Sequence, residues 1–539
     1  MKINAIRHVH CTRRSPLAQA LALALGIGVA AVMTPPQARE HIDPAHAETL
    51  YLKHFGTRDG FDTYLAQRLP QKRGDDIQAV AATRYVSNCN DSGSGSFRSA
   101  VAAAGSGDTI DLSGCGATIN LLSSVVTGLN DLTIRGGAVG ASGVQTVLHG
   151  GDAIRPLSHT GTGTLTLENL AIRNGRLTNG VARGGCISSF GDVVLTDSQV
   201  KYCEVTQSSG ANEVRGGGIY AAGNVSLIDS VILKNKASSS IAGRAVMGGG
   251  VYADSIGAND STITGNKATS LSGVVKGGGI YVGNGTSILM DSVVSENGVS
   301  AANADVHTYG GGIFAKRTTL TIMNSDIHNN TAKKYGEGGG VFVSAIGPGS
   351  LTVKYSNINE NEAVLGGGIN SRSGLTLTSS TVAKNKATAH GGLLATGGDI
   401  SISRSTISQN TGEQVAGATL KAPAGSSINI EQSTISKNRT NLDPTTVSEC
   451  PGTGLRVESN ATINNSTIVF NVNNQGTTSN EFCGGLGLRL GAGVTATASS
   501  SVIAHNWAEY TQAGTLKRAA GQNVYGPSPA NLVGNFNAI

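Results

Sequence analysis

The chain has 539 residues, of which 75 are glycine, about twice the usual share, while charged residues make up 14% against a usual ~25%. That balance excludes a helical bundle or coiled coil, which need Leu, Glu, Lys and Ala in bulk, and the lack of a three-residue glycine period excludes collagen. The net charge of +5 is weakly basic. With no Lys/Arg run and aromatics at 4%, no nucleic-acid surface is expected.

The first element in chain order is an address. Lys2, Arg7, Arg13 and Arg14 precede an apolar run from Leu17 to Met33, followed by Pro35, Pro36 and Ala38. This is the layout of a secretory signal peptide over residues 1–38, too short for a membrane span. Cleavage after Ala38 is one option, and Ala45-His46-Ala47 offers a second. Thr12-Arg13-Arg14-Ser15 hints at a twin-arginine signal, but Pro16 sits where a large apolar residue is wanted, so an ordinary basic leader is preferred. An exported protein that is secreted or held at a bacterial outer membrane is therefore expected, with no transmembrane segment in the mature chain. Residues 39–85 read as an N-terminal extension, 86–112 as a cap that includes a short helix from Phe97 to Ala104, 113–510 as the main body and 511–539 as a tail.

The body is built from repeats of 24 to 35 residues. One signature is Ser-x-[Val/Ile]-x-x-Asn. It ends in Asn235, Asn266, Asn297, Asn330, Asn361, Asn385, Asn410, Asn438, Asn471 and Asn506, and an eleventh copy has Cys203 in the Asn slot. A period-two strand such as Leu320/Ile322 or Leu375/Leu377 precedes most copies. Before that lies Gly-Gly-Gly-[Ile/Val]-[Tyr/Phe], starting at Gly216, Gly248, Gly277, Gly310 and Gly338; the copy at Gly366 carries Asn370 in place of the aromatic. Each unit thus holds about three short strands joined by sharp corners. One unit cannot bury its apolar face alone, so units must stack with like residues ~4.8 Å apart. The Asn column is expected to bond side chain to backbone and to take the αL conformation at the corners, and the variable segments after it to form loops. The fold expected is all-β: a single right-handed parallel β-helix of about twelve coils with an N-terminal cap.

The paired motifs resemble the repeats of bacterial polymorphic outer membrane proteins, within the pectin-lyase-like superfamily. There the motifs read Gly-Gly-Ala-Ile and Phe-x-x-Asn, so the match is to repeat type. Cys89, Asp91, the Ser92 to Ala100 run and Gly107-Asp108-Thr109-Ile110 resemble the N-terminal cap of CSLREA-type exported β-helix proteins. The resemblance covers about residues 86–510. It departs at the far end, since the 33 residues after Asn506 are too few for an autotransporter barrel, and the tail from Gly521 resembles the start of a C-terminal anchor region.

Six cysteines remain after the leader, which in an oxidising compartment allows three disulfides and fifteen connectivities. Cys450 and Cys483 occupy like positions in successive units and are expected to pair. Cys89 and Cys115 would tie the cap, leaving Cys186 with Cys203 by elimination. The polygalacturonase motifs are incomplete, with Asp75-Asp76 and Ala389-His390-Gly391 as fragments, and the pectate-lyase catalytic Arg motif is absent. His390 reads as a loop residue, and His159, His328 and His505 as surface residues. The column Tyr220, Tyr252, Tyr281, Phe314, Phe342 reads as an aromatic ladder, with sugar binding as the alternative. Asp197, Asp229, Asp260 and Asp291 read as corner caps, with a Ca²⁺ site as the alternative. No catalytic residue, cofactor or resident metal is assigned. The expected function is a non-catalytic, monomeric, adhesin-like surface protein that meets a polysaccharide or a cell surface. The alternative is a polysaccharide lyase or glycoside hydrolase acting on an acidic polysaccharide.

Overall fold

In the computed structural model, residues 81–538 are described, except 138–144, 211, 348, 442–451, 478–485, 513–514, 521–522, 527–530 and 535. The leader, the Asp75-Asp76 pair and the expected Cys450–Cys483 disulfide lie outside the described residues. The described residues from Ala81 onward wind as a right-handed parallel β-solenoid of about 12 coils.

Each middle coil visits four sheets. Taking the coil that begins at Gly216, the chain runs along Ile219–Ala221, Val225–Ile228, Val231–Leu233 and then Lys236–Ser239 with Val246–Met247. We call the sheet holding Val225–Ile228 sheet 1, that of Val231–Leu233 sheet 2, that of Lys236–Ser239 and Val246–Met247 sheet 3, and that of Ile219–Ala221 sheet 4. Among the described residues they contain 16, 15, 18 and 14 strands, sheet 3 the most because five coils contribute two strands each to it. Three strands per unit were expected. The fourth sheet is the segment after the Asn, whose amphipathic pattern is too short to read as strand but whose backbone pairs coil to coil in register.

Sheets 1, 2 and 4 enclose the main core. Ile232, Ile263, Val294, Ile327 and Ile358 form one inward row in sheet 2, Leu320, Leu351, Leu375 and Ile400 another in sheet 1, and Ile219, Val251, Ile280 and Ile313 a third in sheet 4; all are buried. Burying such a side chain contributes ~1.5–3 kcal/mol, so the rows drive stacking.

Two corners bound sheet 2, and both use left-handed backbone. The residue before each Ser has φ near +48°, as in Asp197, Asp229, Tyr355, Ser379 and Arg404. The residue before each Asn does likewise, as in Lys234, Glu296 and Lys384. The Asn itself is not the αL residue, contrary to expectation; its side chain is turned inward instead. Asn330 Nδ2 donates to Asn361 Oδ1 at 3.0 Å and to the Val294 carbonyl at 2.8 Å, while its Oδ1 accepts from Asn297 Nδ2 and Asn297 N, both at 3.0 Å. This ladder runs from Asn235 to Asn506 with every amide satisfied in the same way. A parallel Ser ladder passes from Ser198 to Ser501, each backbone N–H donating to the next Ser Oγ.

The three glycines of the repeat have three jobs. Gly216 has φ +66°. A Cβ on Gly217 would lie 2.1 Å from the Gly249 carbonyl oxygen, and one on Gly218 would lie 2.9 Å from Asn235 Cγ. The glycine and Asn signatures are therefore two halves of one contact inside each coil.

At the start, the strand Thr83–Tyr85 pairs with Thr109–Asp111, so the ordered cap begins upstream of residue 86. Helix α1 spans Phe97–Ala102, capped by Ser96, and buries Phe97 and Val101 over the first coil. It ends before Ala104, where the chain turns. Cys89–Cys115 ties this cap, with Cα atoms 5.2 Å apart. Cys186–Cys203 also forms, at 5.5 Å.

Candidate functional site

The segments after the Asn column are not loops. In five successive coils they run out and back as paired strands, from Glu204–Gln207 with Val214–Arg215 to Thr331–Ala332 with Gly336–Glu337. The two arms enclose a small second core that includes Val205, Ala237, Ala268, Val214, Val246 and Val275. Together they make a side wing along the solenoid. It narrows at Glu362–Leu365, where the pairing shifts register between Ala363 and Leu365.

The aromatic column lies beneath this wing. Tyr220, Tyr252, Tyr281, Phe314 and Phe342 point out of sheet 4 and stack with centroids 4.8–5.4 Å apart. The return arm of the wing covers them. Arg183, Arg215 and Lys276 place cations 5.0–5.3 Å over Tyr220, Tyr252 and Phe314, and Met247 packs against the same rings. Burial pushes the Tyr252 and Tyr281 hydroxyls up and Lys276 down. The column is thus an internal ladder, worth ~0.5–1.5 kcal/mol per stacked pair beyond the area it buries.

Where the ladder stops, polar groups replace the rings. Asn370 follows Phe342 in register, and Glu337 follows Tyr309 on the wing. Glu337 is 2% exposed. Its Oε2 accepts from Asn370 Nδ2 at 2.9 Å and from Arg372, whose guanidinium also lies 5.4 Å over Phe342. Its Oε1 faces His307 Nδ1 at 3.6 Å. His307 in turn stacks on Tyr309 at 5.9 Å and leans on Tyr335 at 5.6 Å. Sequence reading missed this cluster. Its one visible signal was the missing aromatic at Asn370.

The other candidates scatter. His390 is neither in a loop nor near Glu337 in register: it ends the strand Lys386–His390, with Leu365 between the two in sheet 3. Its Nδ1 lies 3.0 Å from Thr419 Oγ1. Burial, helped by the charge of Arg456, lowers its pKa to about 4, so it is neutral at pH 7. His159 is buried, not on the surface. Its Nδ1 lies 2.7 Å from Ser189 Oγ and its Nε2 2.7 Å from the Leu129 carbonyl, an inward polar plug. His328 is half-buried in sheet 2, and His505 is exposed at a corner.

The aspartate column sits on an αL corner. Asn324, Tyr355, Ser379 and Arg404 occupy the same slot with the same φ, so the slot selects a backbone conformation and not a carboxylate. Asp229 has its pKa raised by burial and by the neighbouring Asp197. Among the described residues, no three His, Cys, Asp or Glu side chains are grouped as a metal ion would require. Nor does any described helix have the length and apolarity to cross a membrane.

The fold and site define a parallel β-solenoid with a side wing. Comparison with protein-family models, curated proteins and solved structures returns no match.

Proposed function

We propose that this protein is an exported, adhesin-like β-helix that acts by presenting a long repetitive face at the cell surface, without chemistry of its own. The observation that carries this is the outer surface of sheets 1 and 2. Thr381, Thr406, Thr434 and Thr467 stand in register on sheet 2. Thr352, Thr376, Ser401, Asn429, Thr462 and Thr497 do so on sheet 1. Hydroxyls and amides repeated every ~4.8 Å suit a partner that is itself a repeating, hydroxyl-rich polymer. The signal-like leader and the resemblance to polymorphic outer membrane protein repeats support export to the surface. Protease treatment of intact cells, followed by immunodetection, tests the location: loss of the full-length band is expected, and full protection contradicts it.

One feature favours the alternative, a lyase or glycoside hydrolase acting on an acidic polysaccharide. Glu337 and Arg372 pair a buried carboxylate with a half-exposed cation at the wing's narrow end. Release of shortened chains from an acidic polysaccharide, abolished by Glu337→Gln, would establish that reading.

A further inference from the structure

We propose that Phe470, on the corner between sheets 2 and 3, anchors an uncharged glycan at the molecular surface, with one sugar ring stacked on its free face and the hydroxyls of Thr434 and Thr467 beside it. The inference rests on the display reading and names where on the displayed face the polymer is held, and by what chemistry.

The slot before each Asn has left-handed backbone, and polar side chains or glycine fill most of it, as with Lys234, Gly265, Glu296, Asn329, Lys384 and Lys437. Phe470 stands in the same slot at φ +57°, a conformation rare for a bulky side chain. It gains little burial in return, being 41% exposed. Asparagine, as at 329, takes this backbone more readily. The fold alone therefore does not call for a ring here.

The internal ladder makes the contrast. Tyr252 and Phe314 are each stacked between two rings. Phe470 stacks on one ring only. His505 lies parallel to it with centroids 5.7 Å apart, and Trp507 meets it edge-on at 6.1 Å. Among the described residues, no second ring stacks on Phe470 and no cation lies over it, whereas Trp507 already carries the Arg518 guanidinium at 5.1 Å. His505 and Trp507 thus hold the Phe470 ring in place with one face open, an arrangement set before a ligand arrives.

An open aromatic face flanked by hydroxyls is the chemistry that receives a sugar ring. The C–H groups of a pyranose cover the aromatic face while its hydroxyls turn to polar neighbours. Thr467 lies on the same coil as Phe470, and Thr434 on the coil before, in register with it on the outer face of sheet 2. A glycan laid along the solenoid meets both hydroxyls and the ring. The surroundings fit an uncharged chain. Lys437 is the exposed cation next along the corner, and one solvated ion pair contributes too little to select an acidic polymer. A nucleic-acid strand needs a row of cations along its phosphates, which the succession Gln409, Lys437, Phe470, His505 does not supply.

The test is calorimetric titration of the full chain with maltohexaose, cellohexaose and mannohexaose, with hexagalacturonate and an oligothymidylate as comparators. Wild type is compared with Phe470→Asn, which removes the ring but suits the slot, and with Phe470→Tyr, which keeps the ring. At least one neutral oligosaccharide is expected to bind. Phe470→Asn should weaken it about tenfold, the loss of ~1.4 kcal/mol, with a melting temperature close to wild type, and Phe470→Tyr should retain it. Binding that Phe470→Asn does not move, equal loss in Phe470→Tyr, tighter binding of either comparator, or no binding of any neutral oligosaccharide each overturns the site. The display reading is judged apart from these outcomes, by protease accessibility on cells.

Discussion

Asn330 shows how much of this fold is decided by single side chains. Its amide makes three hydrogen bonds to the preceding coil, accepting from Asn297 N and Nδ2 and donating to the Val294 carbonyl, one to Asn361 in the next coil, and one to the His328 carbonyl in its own. Asn330→Ala strands the N–H and Nδ2 donors of Asn297 in a dry interior, each at ~1–3 kcal/mol. A destabilisation of about 3 kcal/mol is expected in denaturant titration, and a change below the noise would mean that water replaces the amide. His390 makes a second residue-scale prediction. Its folded pKa of about 4 lies below the ordinary 6.5, so the unfolded chain binds the extra proton first. The contribution is therefore present above pH 6.5 and is lost as pH falls toward 4, by about 3 kcal/mol at most. Carboxylates with lowered values, such as Asp108 and Glu509, lose their contributions from the acid end of that window downward. Between pH 6.5 and 4.5 the stability of His390→Gln should slope less than that of wild type; equal slopes would place the titration elsewhere.

At the scale of strands, register is the property that matters. Ile358 stacks between Ile327 and Val382 in sheet 2 and is fully buried. Ile358→Asp places an unpaired charge in that row and should cost more than about 4 kcal/mol. Asn429→Asp, on the exposed face of sheet 1, should leave melting nearly unchanged, and matching losses would refute the assigned faces. Thr331 sits in a strand opposite Glu362, so a carboxylate added there would meet a like charge. Sequence alone placed the strands of sheets 1, 2 and 4, because their inward rows alternate with period two and recur with each Asn. It could not place the wing. Arms such as Val246–Met247 are two residues long, below any readable period, and become strands because the coils above and below supply partners. The Glu337 cluster was hidden for the same reason: Glu337 and Asn370 are 33 residues apart and meet only through stacking.

For the whole molecule, a disulfide closes the lower end of the Asn ladder. Gly184-Gly185-Cys186 is a copy of the glycine motif with Cys in the third slot, and Cys203 takes the Asn slot. In later coils these two slots touch as glycine and Asn, so here a disulfide replaces that contact. Cys203 N still donates to Asn235 Oδ1 at 3.0 Å, which joins the bond to the ladder. Cys186→Gly/Cys203→Asn should therefore extend the Asn ladder by one coil and retain most stability under reducing conditions. Cys186→Ala/Cys203→Ala should lose about 3 kcal/mol relative to the oxidised wild type. Equal stability of the two doubles would show that the slots are not equivalent. On the proposed function, a rigid, repeating surface holds a polymer without cutting it. Size-exclusion chromatography of a fluorescent polysaccharide incubated with the purified protein tests it directly. The polymer peak is expected to move to larger size with no shorter chains appearing; a shift to smaller size, lost in Glu337→Gln, would contradict it.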